Sequence, residues 1–269
     1  MCGRYASSRD PSDLVAEFEI ESGNVRESVQ EVGENYNVAP TDQVIAVVER
    51  KNREAPEETV RKLTTVKWGL VPSWAKDTSI GNRLINARME TVADKPAFKK
   101  AFATRRCILP ADGYYEWYKS EQKVNGKPVK QPYFIRPADG GILAMAGLYE
   151  IWRDKTVEDP ESDEAWLWTC TVLTTSSTDD LGRIHDRMPL LVERERYDVW
   201  LNPLSSDKDD LLDLLDLLVP AAPGRLEAYA VSKAVSSVKN NGPHLVDPLP
   251  PDGVDPLDKP EEPKEPPLF

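Results

Sequence analysis

The chain has 269 residues, of which 40% are apolar and 30% charged, and its formal net charge is −12. This length suits one large domain or two small ones, and no stretch approaches the roughly 18 to 20 apolar residues of a membrane helix. The net charge alone argues against a nucleic-acid partner, because phosphate binding leaves a basic signature. The charge is unevenly placed, however, since residues 61–120 carry +7 while residues 1–60 carry −7.

In chain order, the hydrophobic pattern and turn residues predict short helices and strands. The first half gives a helix from Asp10, a polar loop over 23–34, strands over 44–48 and 67–71, a helix over 96–104, and strands over 107–109 and 114–118. The second half gives a hairpin of 133–136 with 142–152, strands over 166–175 and 226–231, and a helix over 206–218 capped by Ser206.

These elements predict an α+β fold. Strands without regular intervening helices favour a mainly antiparallel, barrel-like β core flanked by short helices. We expect one domain over residues 1–248. Residues 249–269 hold seven prolines, six acidic residues and two lysines, a composition typical of a disordered acidic tail.

The cysteine and histidine counts limit the chemistry. The chain has three cysteines, too few and too odd in number for a disulfide framework, which favours a reducing compartment. We therefore expect a cytoplasmic protein, nucleoid-associated in a bacterium, or a nuclear one in a eukaryote. Two histidines and scattered cysteines form no zinc spacing, and there is no phosphate loop or dinucleotide fingerprint, so neither a metal nor a cofactor is expected.

Cys2 has the most distinctive chemistry. Methionine aminopeptidases generally remove Met1 before a small second residue, which would give Cys2 a free α-amine beside its thiol. The reference pKa values are about 7.7–8.0 for the amine and about 8.5 for the thiol, so both are partly nucleophilic at neutral pH. Such an aminothiol condenses with an aldehyde to an imine and then closes to a thiazolidine ring.

Several motifs accompany Cys2 in a fixed order. They are residues 2–5 (CGRY), 35–40 (NYNVAP), 68–74 (WGLVPSW), 86–91 (NARMET), 106–110 (RCILP), 113–117 (GYYEW) and 185–189 (HDRMP), with 240–243 (NNGP) near the end. Together they resemble the SOS-response-associated peptidase (SRAP) family from Cys2 to about Pro248. The resemblance implies a protein that binds single-stranded DNA, or single-strand/double-strand junctions, and links covalently to abasic sites through an N-terminal cysteine.

The resemblance also assigns catalytic roles. Cys2 would attack the C1′ aldehyde of the ring-opened abasic sugar. Glu116 would accept the proton of the α-amine, and His185 would transfer a proton to the sugar O4′, which a pKa near 6.5 allows in both directions. Asn86 would orient the terminal cysteine and the sugar.

The predicted DNA contacts lie beside these positions. Arg4, Arg88 and Arg187 suit phosphates and would favour the Cys2 thiolate. Trp68 and Trp117 would stack on bases or wedge between them. Within the 35–40 motif, Asn37 is a further predicted contact and Pro40 resembles the family's apolar wedge at a junction.

Two other functions remain open at this point. Cys2 and His185 could form the nucleophile and base of a peptidase, the activity in the family's name, although that chemistry is expected to reflect only removal of Met1. Non-covalent reading of modified DNA is the other alternative. A β-lyase-like activity is compatible with the imine step. We expect a monomer.

Overall fold

The computed structural model describes residues 2–52, 54–124, 126–177, 179–218, 224–250 and 253. Its strands are β1 (Tyr5–Ser7), β2 (Asn35–Val38), β3 (Gln43–Lys51), β4 (Thr59–Trp68), β5 (Asn86–Arg88), β6 (Arg106–Ala111), β7 (Gly113–Val124), β8 (Lys127–Pro137), β9 (Leu143–Arg153), β10 (Trp166–Ser176), β11 (Arg187–Pro189) and β12 (Leu226–Ala230). Its α-helices are α1 (Pro11–Glu17), α2 (Lys99–Thr104), α3 (Tyr197–Leu201) and α4 (Lys208–Leu217). Short 3-10 turns connect many of these elements.

Five strands form a closed barrel. The pairing runs β4–β3–β6–β9–β10, and β10 then pairs with β4 to complete the ring. The closing pair is parallel, with Cys170 opposite Trp68, whereas the other four pairs are antiparallel. Two short strands, β5 and β11, also pair with the far end of β10.

A second sheet of five strands has the order β12–β8–β7–β1–β2. Successive side chains of a strand point to opposite faces, so each barrel strand contributes to two cores. On β3, Ile45 and Val47 pack in the cluster that holds residues of the helices, whereas Val44 and Ala46 pack in the cluster that also holds Cys2. The second sheet contributes Tyr5 and Tyr114, among others, to this latter cluster, which lies beside the candidate site.

The α+β class with a barrel-like core is confirmed, as are two helices that the sequence predicts. Asp10 caps α1 by accepting from the Ser12 amide, and Pro11 occupies the first turn. The leucine stripe of α4 is buried at Leu211, Leu214, Leu215 and Leu218. The cap of α4 is Asp207 instead of Ser206, since its carboxylate accepts from the Asp209 and Asp210 amides.

Two predicted elements are wrong. The predicted hairpin of 133–136 with 142–152 does not exist, because β8 lies in the second sheet and β9 in the barrel. The predicted strand over 67–71 is instead the end of β4, which stops at Trp68. Gly69 follows with a φ of 126°, a conformation that glycine adopts without strain.

The region over 23–34, predicted as a loop, holds 3-10 turns at Ser22–Asn24 and Glu27–Glu31. The predicted acidic tail lies outside the described residues except for residues 249, 250 and 253. In the part of the chain that the structure describes, no helix is long and apolar enough to cross a membrane.

Candidate active site

Cys2 is buried immediately before β1. The register that pairs Tyr5 with Tyr114 brings this end of the chain beside β7, and Cys2 is 0% exposed. Burial, together with the negative charge of Glu116, raises the pKa of the Cys2 thiol above its ordinary value. Burial therefore acts against the thiolate that the neighbouring arginines are expected to favour.

Glu116 lies on β7, two residues beyond Tyr114 and on the same face of the strand. Its side chain is almost fully buried, and this burial raises its pKa, although the nearby His185 acts in the opposite direction. Electrostatic interactions thus link Glu116 both to Cys2 and to His185. A carboxyl group with a raised pKa is a better proton acceptor when it is ionised.

Asn86 holds the backbone of Cys2. It opens β5, which pairs in parallel with β10 so that Asn86 lies opposite Val172. The Nδ2 atom of Asn86 donates to the Cys2 carbonyl oxygen over 2.7 Å. The Oδ1 atom is buried and has no hydrogen-bond partner among the described residues, so it can accept from a bound group.

His185 lies between a 3-10 turn and β11, with about a third of its side chain exposed. Its Nδ1 atom is 3.0 Å from the backbone N–H of Arg187 and 3.0 Å from Oδ1 of Asp186. A neutral ring accepts from the amide and carries its proton on Nε2, whereas a protonated ring pairs with the carboxylate. Both contacts hold the orientation of the imidazole ring.

Arg187 is engaged within the protein. Its guanidinium binds both oxygens of Glu90, over 2.6 and 3.0 Å, and donates to the Thr174 carbonyl. Its side chain is only 11% exposed. The ion pair between Arg187 and Glu90 links the segment after Asn86 to the segment after His185. Arg187 therefore helps to position these two segments. Its contact with DNA stays a prediction.

Two residues predicted to contact DNA are interior. Trp68 is 0% exposed and its Nε1 donates to the Ile85 carbonyl. Asn37 is 3% exposed, and its amide donates to the carbonyls of Ser237 and Asn240. The predicted surface roles of Trp68 and Asn37 are wrong, because barrel closure and the C-terminal segment cover them.

Arg4 and Trp117 are half-buried neighbours. The Arg4 guanidinium lies 5.8 Å from the centre of the Trp117 ring and donates to Asn37 Oδ1 over 2.6 Å. Nε1 of Trp117 donates to Ser236 Oγ. Pro40 is half-buried in the turn after β2. Contacts of these three residues with DNA stay predictions.

Two residues from the motifs that carry the candidate site and its predicted DNA contacts project into solvent. Arg88 is exposed at the end of β5, two residues from Asn86. Trp74 is 61% exposed, the largest aromatic exposure in the described part of the chain. Sequence reasoning missed Trp74 and chose Trp68 from the same motif. The Pro72-Ser73 step before Trp74, which is typical of a loop, was the available signal.

Among the described residues, no group of three or more histidine, cysteine or acidic side chains could hold a metal ion. The site instead brings together Cys2, Asn86, Glu116 and His185. The fold and the site therefore define a single-domain α+β protein with a candidate cysteine site. In this site, the buried Cys2 lies beside the carboxyl group of Glu116, which in turn interacts with the imidazole of His185.

The chain belongs to the SOS response associated peptidase (SRAP) family, whose sequence profile matches residues 1–238. It is 37% identical over 247 residues to the abasic site processing protein YoqW of Bacillus subtilis, covering 92% of this chain and 99% of that protein. It is 33% identical to the abasic site processing protein YedK of Escherichia coli, over 93% of this chain and all of that protein.

A eukaryotic relative and solved structures also match. The abasic site processing protein HMCES of Gallus gallus is 29% identical, over 80% of this chain and 66% of that protein. A crystal structure of a protein from Bacteroides thetaiotaomicron matches with a TM-score of 0.73 and 27% identity, over 92% of this chain and all of that one. A phage-related protein from Bordetella bronchiseptica matches with a TM-score of 0.62 and 28% identity, over 89% of this chain and 99% of that one.

Proposed function

We propose that this protein processes abasic sites in single-stranded DNA by forming a thiazolidine crosslink through Cys2 once Met1 has been removed. The observation that carries the proposal is the grouping of Asn86, Glu116 and His185 beside Cys2. The hydrogen bond from Asn86 holds the Cys2 backbone, Glu116 acts electrostatically on Cys2, and His185 acts electrostatically on Glu116. The names of the curated relatives supply the substrate class.

The chemistry begins at the amine. The lone pair of the Cys2 α-amine attacks the C1′ aldehyde of the open sugar to give a carbinolamine, which loses water and becomes an imine. The thiol then adds across the C=N bond, so sulfur bonds to C1′ and the thiol proton ends on nitrogen. The amine acts first because its condensation with the aldehyde creates the C=N bond, and the sulfur then closes the ring on that bond.

Each neighbouring group has a role in these steps. Glu116 accepts the proton that the ammonium of Cys2 must lose before attack, and it can return a proton when water leaves. His185 transfers a proton to O4′ as the sugar ring opens. Oδ1 of Asn86 accepts a hydrogen bond from the bound sugar while Nδ2 stays on the Cys2 carbonyl.

DNA would bind across the exposed residues around this site. Trp74 offers an aromatic surface to a base beside the lesion, and Arg88 offers a charge to a phosphate. The half-buried Trp117 and Pro40 would border the flipped or unpaired nucleotide. We propose that the protein acts as a monomer and that residues 1–248 form the domain that binds DNA and carries out the chemistry.

The test is a denaturing gel of the purified protein with single-stranded DNA that holds one abasic site. A heat-stable shifted band that is absent for Cys2→Ala supports the proposal, and Cys107→Ala is the matched control for loss of a buried thiol. Intact mass should show that Met1 is missing. No band from a wild-type protein that lacks Met1 would overturn the crosslinking mechanism.

A peptidase acting on other proteins is the second candidate, because Cys2 and His185 could act as nucleophile and base. The raised pKa of the Cys2 thiol disfavours it, since a cysteine peptidase attacks with a thiolate, whereas crosslinking begins at the amine. Turnover of a peptide library without any DNA band would favour the peptidase. Reversible retention of modified DNA without a covalent band would favour a reader.

A further inference from the structure

Strands β7 and β8 extend beyond the second sheet as a two-stranded arm. β7 pairs with β1 only at Gly113 and Tyr114, and β8 pairs with β12 only over Tyr133–Pro137. The Val231 amide, just after β12, still donates to the Pro132 carbonyl, but from the Tyr118–Gln131 pair outwards no third strand among the described residues joins β7 and β8. A lone two-stranded ribbon has marginal stability in water, so this arm is a surface that a partner would stabilise.

The arm is basic in an acidic protein. Residues 119–130 contain four lysines and one glutamate, whereas the whole chain carries −12. Lys119 and Lys130 lie directly opposite each other on the two strands, and both are exposed. Neither forms an ion pair with another described residue. Like charges in directly opposed positions destabilise a strand pair, and an anion between them would relieve the repulsion.

The lysine pair shares a face with two residues near the candidate site. Side chains alternate along β7, so Lys119 points to the same side as Trp117, while Glu116 points to the side of Cys2. Arg4 lies against the Trp117 ring on this side. A positive face therefore runs from Arg4 past Trp117 to Lys119 and Lys130.

We propose that this arm binds the sugar-phosphate backbone of the DNA beside the abasic site, with Lys119 and Lys130 each pairing with a phosphate. The placement relative to the lesion rests on the proposed function, because Glu116 and the arm belong to the same strand. Lysine suits this role as a flexible point charge that needs no fixed geometry. The contact adds affinity without reading sequence.

The test measures binding of the double variant Lys119→Gln/Lys130→Gln to undamaged DNA by fluorescence anisotropy. The slope of log affinity against log salt should fall by about 1.4 on single strands or about 1.8 on duplex. The wild type would then lose about sevenfold more affinity than the variant between 50 and 200 mM salt on single strands. If the slope falls only on single-stranded DNA or only on duplex DNA, that result identifies the form of DNA that the arm binds.

The matched control is Lys51→Gln/Lys62→Gln, which removes two exposed lysines from the β3–β4 pair. It should keep the wild-type slope, and thermal melting should show that both variants are folded. An unchanged slope for the arm variant on both DNAs, or an equal fall in the control, would overturn the proposal. This binding test uses undamaged DNA and does not depend on crosslinking. If the wild type failed to crosslink to an abasic site, the proposed function would be refuted, but the result on backbone binding by the arm would still hold.

Discussion

At the residue scale, the proposed role of Glu116 as a proton acceptor carries a cost in stability. Its burial raises its pKa, so the ionised form that accepts a proton is also the form that destabilises the fold. We expect Glu116→Gln to slow crosslinking by about 10²-fold. The wild-type rate should rise with pH through the raised pKa of Glu116, and the variant should lack this rise. Single-turnover gels over a pH series measure both.

The same substitution should stabilise the fold at neutral pH. A carboxyl group whose folded pKa is raised costs stability above that pKa, and the cost disappears as the pH falls below its unfolded value near 4.3. Urea unfolding should therefore show Glu116→Gln above wild type at pH 7.5 and equal to it near pH 4. A variant that is less stable at pH 7.5 would contradict the assignment of burial as the cause.

Asn86 offers a second test at this scale. In Asn86→Asp, a carboxylate oxygen would replace the donor that binds the Cys2 carbonyl, so two acceptors would face each other. We expect crosslinking to slow by about tenfold, equivalent to roughly 1.4 kcal/mol, with unchanged affinity for undamaged DNA. Single-turnover rates at saturating DNA measure this effect. A wild-type rate would exclude Asn86 from positioning Cys2.

At the element scale, Arg106 joins two helices to the barrel. It is 1% exposed on β6 and donates to carbonyls of α2 and α3 and of the segment after α3. The acceptors are Phe102, Ala103, Trp200, Asn202 and Ser205. These carbonyls include orphan groups at helix C-termini, which need donors when they are buried.

We expect Arg106→Lys to lower the free energy of unfolding by about 3 kcal/mol, because an ammonium cannot reach five carbonyls and leaves several unsatisfied. The exposed pair of Arg136 with Glu227 provides the control, and Arg136→Lys should cost less than about 0.5 kcal/mol. Urea denaturation measures both variants. Equal losses would show that Arg106 contributes no more than a surface charge.

The elements also show what the sequence can predict. The helix α1 and the leucine stripe of α4 follow from caps and periodicity within a few residues, and both are found. The pairing of β8 and β9 could not be predicted, because it depends on partners elsewhere in the chain. Trp68 and Trp74 belong to one motif, yet Trp68 is buried by β10, about 100 residues later, and Trp74 is not.

At the scale of the whole molecule, the basic middle of the chain is less available than its charge indicates. Arg106 is buried, Arg105 pairs with Glu150, and Arg61 pairs with Glu49. The grouping of Cys2, Asn86, Glu116 and His185 was nevertheless predictable, because a resemblance carried by ordered motifs identifies residues without knowledge of their surroundings. Burial depends on packing with distant parts of the chain, which is why Asn37 and Trp68 are interior although the sequence predicts surface roles for them.

The negative charge of residues 249–269 should also lower the affinity of the protein for DNA. Residues 249–269 carry a net charge of −4, and their removal leaves −8. We expect truncation after residue 248 to strengthen binding to undamaged single strands by about twofold to fivefold at low salt, because long-range repulsion falls. A full-length variant with four of the six acidic residues replaced by amides, which changes the net charge by the same +4, should match the truncation. Anisotropy at 150 mM salt should show the difference largely screened.

The barrel also sets an order of events during synthesis. β10 supplies the closing pairs with β4 and β9, so no barrel exists until residues 166–176 have left the ribosome. Cys2 becomes buried only when that core forms. A ribosome-associated aminopeptidase would therefore have the synthesis time of more than 150 residues, on the order of ten seconds or longer at about 5–20 residues per second, to reach Met1. Late closure of the barrel thus leaves the N-terminus open to maturation before the core packs around Cys2.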